Sequence, residues 1–428
     1  MKIYKNAADA AAILRRGRFD DEEKRAAVRA IVQDVRTRGD AALFEYCEKF
    51  DGTSLTAATV AVSREEIGEA YAQVSADLLS SMKKAAKNVL DYHSRSPMRE
   101  DIRTDGRGRT TGYTVRAVER AGIYVPGGTA PLFSSVLMGV LPAKAAGVEH
   151  IYVCTPAKDG KIAPAVLVAA DLCGAEKIFK AGGAQAIAAL ACGTESIPKV
   201  DVIAGPGNIY VTLAKKEVYG EVGIDMLAGP SEILIIADGK QNAAHIAADI
   251  LSQAEHDRLA RAILLTDSPA LAERVAAETE RQLALLPRSE IAAYSVENSG
   301  GIILVKDMEE ACALANEIAP EHLELACENC EALLPRIRSA GAVFMGGSTP
   351  EPVGDYFAGP DHTLPTGGTA RFFEVLNQDI FLRKMSVIRY TEEALAEDAA
   401  DIVRLAENEG LHAHANAVRI RTEKEKRK

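Results

Sequence analysis

From residue 121 onward, short β-branched runs alternate with alanine-rich helical runs, and this constrains the fold more than any other feature of the chain. "GIYVP" is followed by a helical pattern over 131–146, "HIYVCTP" by 163–172, "KIFKAG" by 184–192 and "DVIAG" by 208–218. Strand, helix and strand in succession read as βαβ units, which build parallel sheets with helices on their faces. A second series follows: "EILIIAD" and a helix to about 257, "AILLTD" and a helix from 268, "GIILVKD" and a helix to 318, then "GAVFMG" at 341–346. The expectation is an α/β protein with two parallel-sheet modules. Before them, residues 20–50 show amphipathic helical spacing, and 93–118 form a polar connection. After them, 347–375 is loop-rich and "EEALAEDAADIVRLAE" begins a separate helical C-terminal element.

At 428 residues the chain exceeds one ordinary core, which suggests roughly two to four domains and room for a cleft. A net charge of -11 argues against a nucleic-acid partner, which requires a basic face. The basic tail "RTEKEKRK" is mixed in sign and reads as a frayed end. The uncharged stretch 121–143 is interrupted by Pro126, Gly127, Gly128, Pro131 and Pro142, so it reads as strand, glycine loop and buried helix rather than a membrane span. The N-terminus lacks an apolar run of signal-peptide length. Seven scattered cysteines read as reduced thiols. Of these, Cys327 and Cys330 in "CENC" are expected on a helical surface, and Cys154 is expected as a buried thiol.

Glycine turns recur where strands pass into helices, at "VPGGTAP", "KAGGAQA", "AGPGN" and "LAGPSE". Such turns admit a ligand's phosphates close to the backbone at the carboxyl ends of strands, but they also serve as ordinary tight turns. No G-x-G-x-x-G fingerprint with its ribose-binding acid is present. Gln253 and His256 in "LSQAEHD" are three residues apart and can face one point, while Asp355, His362, His412 and His414 lie in later loops. Oxygen and nitrogen donors of this kind suit zinc, though each piece alone is weak. In "NEIAPEHLEL", Glu321 and His322 put a carboxylate and an imidazole side by side after a helix-ending proline. An imidazole titrating near neutrality can take a proton from an alcohol and a carboxylate can activate water. In an extended strand the two would point to opposite sides, so serving one substrate requires a bend after Pro320.

Taken in order, "GIYVPGG", "GGAQAIAALA", "GPGN", "LAGPSE", "QAEHD", "IAPEHLEL", "GDYFAGPDHTLPT" and "EGLHAHANAV" resemble the zinc-dependent histidinol dehydrogenases, over residues 20–421. The resemblance implies a cytoplasmic homodimer with shared active sites that oxidises L-histidinol through L-histidinaldehyde to L-histidine, using two NAD molecules in succession. It implies one Zn2+ per subunit on Gln253, His256, Asp355 and His414, the last from the partner subunit. Glu321 and His322 would be the catalytic pair. The substrate would meet Ser231, His362 and Glu409 as well as His322 and the metal ligands Gln253, His256, Asp355 and His414, and NAD would meet Tyr124, Gln185 and Asn208.

The fold so implied is two incomplete Rossmann-like modules with parallel sheets and small N- and C-terminal helical elements. Its expected division is 1–19 as an N-terminal element, 20–123 with 233–376 as a discontinuous first module, 124–232 as an inserted NAD-side module, and 377–428 as a C-terminal domain. Arg258 and Leu259 stand where the family usually has a proline-containing turn, and Asp361 stands where it usually has Asn. A related zinc and NAD dehydrogenase acting on another small polar or amino alcohol is the alternative. A non-catalytic binding protein is opposed by the intact Glu321-His322 pair, and a zinc hydrolase by the missing H-E-x-x-H helix.

Overall fold

The computed structural model describes residues 1–14, 21–95, 99–127 and 132–422. The end of the N-terminal element near residue 19, Gly128 to Pro131 of the first glycine turn, part of the 93–118 connection and most of the basic tail lie outside the described residues.

The chain divides into two compact units, Met1–Arg95 with Val118–Phe381, and Ser96–Ala117 with Leu382–Lys428. In the first unit the two βα series form two parallel sheets. Arg120–Tyr124, His150–Cys154, Lys177–Phe179, Val202–Ala204 and Gly223–Ile224 form a five-stranded sheet whose spatial order is third, second, first, fourth, fifth. Glu232–Ala237, Arg261–Thr266, Gly301–Leu304, His322–Ala326 and Ala342–Met345 repeat that order, and the two-residue strand Ile3–Tyr4 extends the edge beside Gly301–Leu304. This is the doubly wound arrangement, in which the chain starts in the middle of the sheet and reverses direction there.

Burial explains why strands so short persist. Glu232–Ala237 and His322–Ala326 are buried at every residue, as expected for parallel strands covered on both faces. Helices Glu22–Arg38 and Asp40–Asp51 break at Gly39 and pack on helix Gly183–Cys192. The apolar segment after residue 121 forms strand Arg120–Tyr124 and the buried helix Phe133–Ala146. Among the described residues no helix is long and apolar enough to cross a membrane.

The second unit differs from the helical element expected. Its 93–118 connection forms strands Asp101–Thr104 and Arg109–Ala117, and Arg109–Ala117 pairs antiparallel with Leu382–Tyr390 in a three-stranded sheet. Threonines at 110, 111 and 114 and the β-branched Val115 favour strand over loop, a signal masked by the arginines and glycines around them. Helices Glu392–Asn408 and His412–Thr422 follow and pack on one another.

The cysteines also correct the reading. Cys327 and Cys330 are 7% and 6% exposed, because the chain passes straight from strand His322–Ala326 into a short helix beneath the apolar layer. Cys154 is fully buried, and burial drives its thiol pKa far upward. All seven cysteines are free.

Candidate active site

The helix Met308–Ile318 ends at Ala319, which adopts a left-handed conformation (φ 47°), and Pro320 cannot continue it. Strand pairing begins only at His322, opposite Ile233 and Ala342. Glu321 therefore sits before the pleat is established, and both it and His322 reach the same cavity. That cavity, of about 230 Å³, also brings together Ser231, Gln253, His256, Asp355 and His362. It lies between opposite ends of the two sheets. Pro126 and Gly207 follow strands of the five-stranded sheet at their carboxyl ends, whereas Ser231 and Glu321 precede strands of the six-stranded sheet.

Glu321 Oε2 accepts the Glu232 N–H at 2.7 Å, and His322 Nδ1 lies 3.0 Å from the Glu232 carbonyl. A carbonyl can only accept, so in the neutral ring this contact places the proton on Nδ1 and leaves Nε2 as the acceptor. Gln253 Nε2 lies farther from the same Nδ1, at 3.3 Å, and cannot donate to it while it carries the proton. His322 Nε2 is buried with no hydrogen-bond partner among the described residues, 3.8 Å from both Glu351 Oε1 and Asp355 Oδ1.

Burial pushes Glu321 up to about 8, against the attraction of His322 and the Glu232 N–H. For His322 burial works the other way, but the carboxylates of Glu321, Asp355 and Glu351 outweigh it and push the imidazole up to about 10. A cation on Asp355 would cancel part of that attraction and return His322 toward the neutral range of a base. His256 and His362 are both lowered, chiefly by burial, so they are neutral donors at pH 7. Asp355 stays ionised despite its burial because His322 and His362 face it.

Two overlapping donor sets could hold a metal ion. His322, Glu351 and Asp355 have donor atoms within 4.8 Å of one another. The second set is Gln253, His256 and Asp355, all lining the cavity, where Gln253 Oε1 is buried with no partner among the described residues. An orphaned amide oxygen, a neutral imidazole and a carboxylate fit a zinc ion without occupying the base. Glu351 escaped the sequence reading. It is 1% exposed, with burial and Asp355 pushing it up to about 8, but its "STPEP" context has neither the periodicity nor the spacing of a ligand.

The departures are accommodated locally. Asp257 Oδ1 accepts the Leu259 N–H at 2.7 Å, closing the turn after His256 without a proline, while Arg258 stacks outward over Tyr294 at 5.5 Å. Asp361 accepts the Thr363 N–H, but its other oxygen is buried with no partner among the described residues, and burial raises its pKa well above the ordinary value. His362 donates from Nδ1 to the Asp355 carbonyl at 2.9 Å and faces the Ser135 hydroxyl from Nε2.

Of the residues expected at NAD, Tyr124 is buried with its hydroxyl accepting the Gly183 N–H at 3.0 Å, and Gln185 is buried against Asp51. Asn208 caps helix Ile209–Val218. A second cavity, of about 510 Å³, lies at the carboxyl ends of the five-stranded sheet, lined by Gly127, Thr155, Pro156, Lys158 and Lys161 and sharing Pro126 with the first. Glu409 and His414 belong to the second unit, where both are exposed.

The histidinol dehydrogenase family profile matches residues 14–422. Among similar proteins, a histidinol dehydrogenase from Bacillus cereus is 52% identical, the match covering 95% of this chain and 94% of that protein. One from Carboxydothermus hydrogenoformans is 49% identical over 99% of this chain and 100% of its own. The crystal structure of histidinol dehydrogenase from Elizabethkingia anophelis superposes with a TM-score of 0.93 at 40% identity, covering 98% of each chain. An acetylating aldehyde dehydrogenase from Geobacillus thermoglucosidasius, 16% identical over 86% of this chain and 97% of its own with a TM-score of 0.52, shares the fold alone.

Proposed function

This chain belongs to the histidinol dehydrogenase family and is an oxidoreductase, and on that footing we propose that it converts L-histidinol through L-histidinaldehyde to L-histidine, transferring two hydrides in succession to NAD. The observation that carries this reading is the convergence of Glu321, His322, Gln253, His256 and Asp355 on one small cavity. Its 230 Å³ is below the roughly 300–1,000 Å³ of ordinary ligand pockets, a size suited to an amino alcohol rather than a dinucleotide. The adjoining 510 Å³ cavity suits the bulk of NAD, with Tyr124 and Gln185 shaping the glycine turn from within, and Asn208 is assigned to the cofactor from the cap of helix Ile209–Val218.

Gln253, His256 and Asp355 would hold Zn2+ together with His414 of the partner subunit. When bound, the ion supplies Lewis acidity and a fixed point for the substrate's nitrogens. His322 does the proton work: with Nδ1–H tied to the Glu232 carbonyl, Nε2 takes the hydroxyl proton of histidinol as hydride leaves its carbon. Glu321, held by the Glu232 N–H, takes a proton from water as the oxygen adds to the aldehyde carbon. The resulting hydrate is a second alcohol, so His322 acts again and the product is a carboxylate. Ser231, His362 and Glu409 are assigned to substrate binding.

We place the active form as a homodimer in the cytoplasm. Among the described residues of the second unit only Ala394 and Ala415 are buried, while Ile388, Leu405 and Ile420 are 72%, 69% and 62% exposed, an apolar surface suited to a second copy. Seven free cysteines suit a reducing compartment. Family membership does not favour another small polar alcohol as the substrate.

The test is the NADH formed per L-histidinol consumed, before metal removal, after it, and after zinc return. Two per substrate, lost with the metal and restored by zinc, is the expected result. One per substrate with aldehyde accumulating would refute the four-electron reading.

A further inference from the structure

We propose that the buried Lys215–Asp225 ion pair is the positioning device for the Gly205–Asn208 turn, which forms one wall of the substrate cavity and leads into the cofactor-side helix. Lys215 and Asp225 are 2% and 3% exposed. Lys215 Nζ donates to the Gly205 carbonyl at 3.0 Å and to Asp225 Oδ1. Asp225 Oδ2 accepts the Gly205 N–H at 2.7 Å, and Oδ1 also accepts the Met226 N–H at 2.6 Å. One ion pair therefore holds both backbone polar groups of a single residue.

That residue needs holding. Gly205 has φ +116°, and a Cβ there would lie 2.0 Å from the Tyr124 carbonyl oxygen, so its backbone is pressed against the end of strand Arg120–Tyr124. Beyond it, Pro206 and Gly207 line the substrate cavity and Asn208 caps helix Ile209–Val218, which carries Lys215. The constraint is a closed ring from helix to lysine to Gly205 and back through the turn.

Two buried charges lose hydration that their attraction scarcely returns, and an apolar pair of similar volume would stabilise the fold at least as well. What an apolar pair cannot do is satisfy the N–H and C=O of Gly205 at once, leaving the turn free to choose another conformation. The pair's contribution is thus to the geometry of the wall between substrate and cofactor, and it rests on the reading of Asn208 as the cofactor's edge.

The experiment uses the full-length, zinc-loaded protein and the double variant Lys215→Met/Asp225→Asn, which leaves no orphan charge. The expected result is cooperative unfolding near the wild-type Tm, with calorimetric binding of histidinol weakened less than that of NAD. KM for NAD should rise and kcat fall, together about 10- to 100-fold. A folded variant with unchanged kcat and KM for NAD would overturn the proposal, as would parallel losses of Tm and histidinol binding. Should the variant not fold, hydrogen exchange in the wild type decides: the Gly205 amide should be protected as strongly as the strand amides, and exchange at the rate of an open loop would overturn it. A wild-type protein that fails to reduce NAD with histidinol would defeat the functional reading instead, leaving the Gly205 amide to judge the clamp.

Discussion

The backbone of Glu232 holds His322 and Glu321 by different groups, carbonyl for the imidazole and N–H for the carboxylate, which suits the division of labour proposed for them. Replacing His322 by Asn should lower the rates of both oxidations by about 10²- to 10⁴-fold. Glu321→Gln should slow the second oxidation far more than the first, so that trapped aldehyde accumulates; single-turnover traces showing equal losses at both steps would reject this assignment. Asp361 offers a stability test. Its folded pKa lies above its unfolded one, so the carboxyl contributes most below the unfolded value, and that contribution is lost as pH rises through the folded value. Asp361→Asn should therefore raise Tm by a few degrees at pH 8, with the gain vanishing as pH falls toward the ordinary carboxyl range near about 4. Thermal melts from pH 4 to pH 8 check both the sign and the slope.

Among the secondary-structure elements, the glycine turns depend on close approach. Pro156, at the end of one strand, is wedged between Gly127 and Gly182, where an added Cβ would come within 2.2 and 2.4 Å of its ring. Gly182→Ala should cost about 1–3 kcal/mol of stability through overpacking. Because Pro156 lines the larger cavity, the same change should weaken NAD more than histidinol, as isothermal titration with each would show. The alternation of runs made both sheets legible in the sequence, with the glycine turns "KAGGAQA" and "AGPGN", whereas "LAGPSE", expected between strand and helix, leads instead into strand Glu232–Ala237. Ligands of open parallel sheets sit at the carboxyl ends of strands, and both larger cavities reach such ends in the five-stranded sheet, while the first meets the six-stranded sheet at its amino ends. The carboxyl end of the six-stranded sheet, beside Asn242, Ala326 and Gly347, encloses a cavity of about 20 Å³, too small for a nucleotide.

For the whole molecule, the second unit is the test of shared sites. Its strands pair over Arg109–Ala117 and Leu382–Tyr390, yet among its described residues only Ala394 and Ala415 are buried. If His414 serves the partner's site, inactive His414→Ala and His322→Asn proteins mixed under exchange should regain about a quarter of wild-type activity, because half the dimers are mixed and each mixed dimer has one intact site. No recovery on verified exchange would place His414 in its own subunit's site or outside the site altogether.

The sequence by itself determined the two βα series and the glycine turns "KAGGAQA" and "AGPGN", and through eight ordered motifs the resemblance to the family, because periodicity, turn chemistry and local spacing are properties of neighbouring residues. Only the tertiary structure decided that Glu321 and His322 face one cavity, since that depends on where strand pairing begins after Ala319. It also brought in Glu351, set opposite His322 by the loop after Ala342–Met345, and Lys215, which meets Gly205 only because helix and turn fold back on one strand end. Such contacts join residues whose separation along the chain carries no pattern, and packing alone creates them.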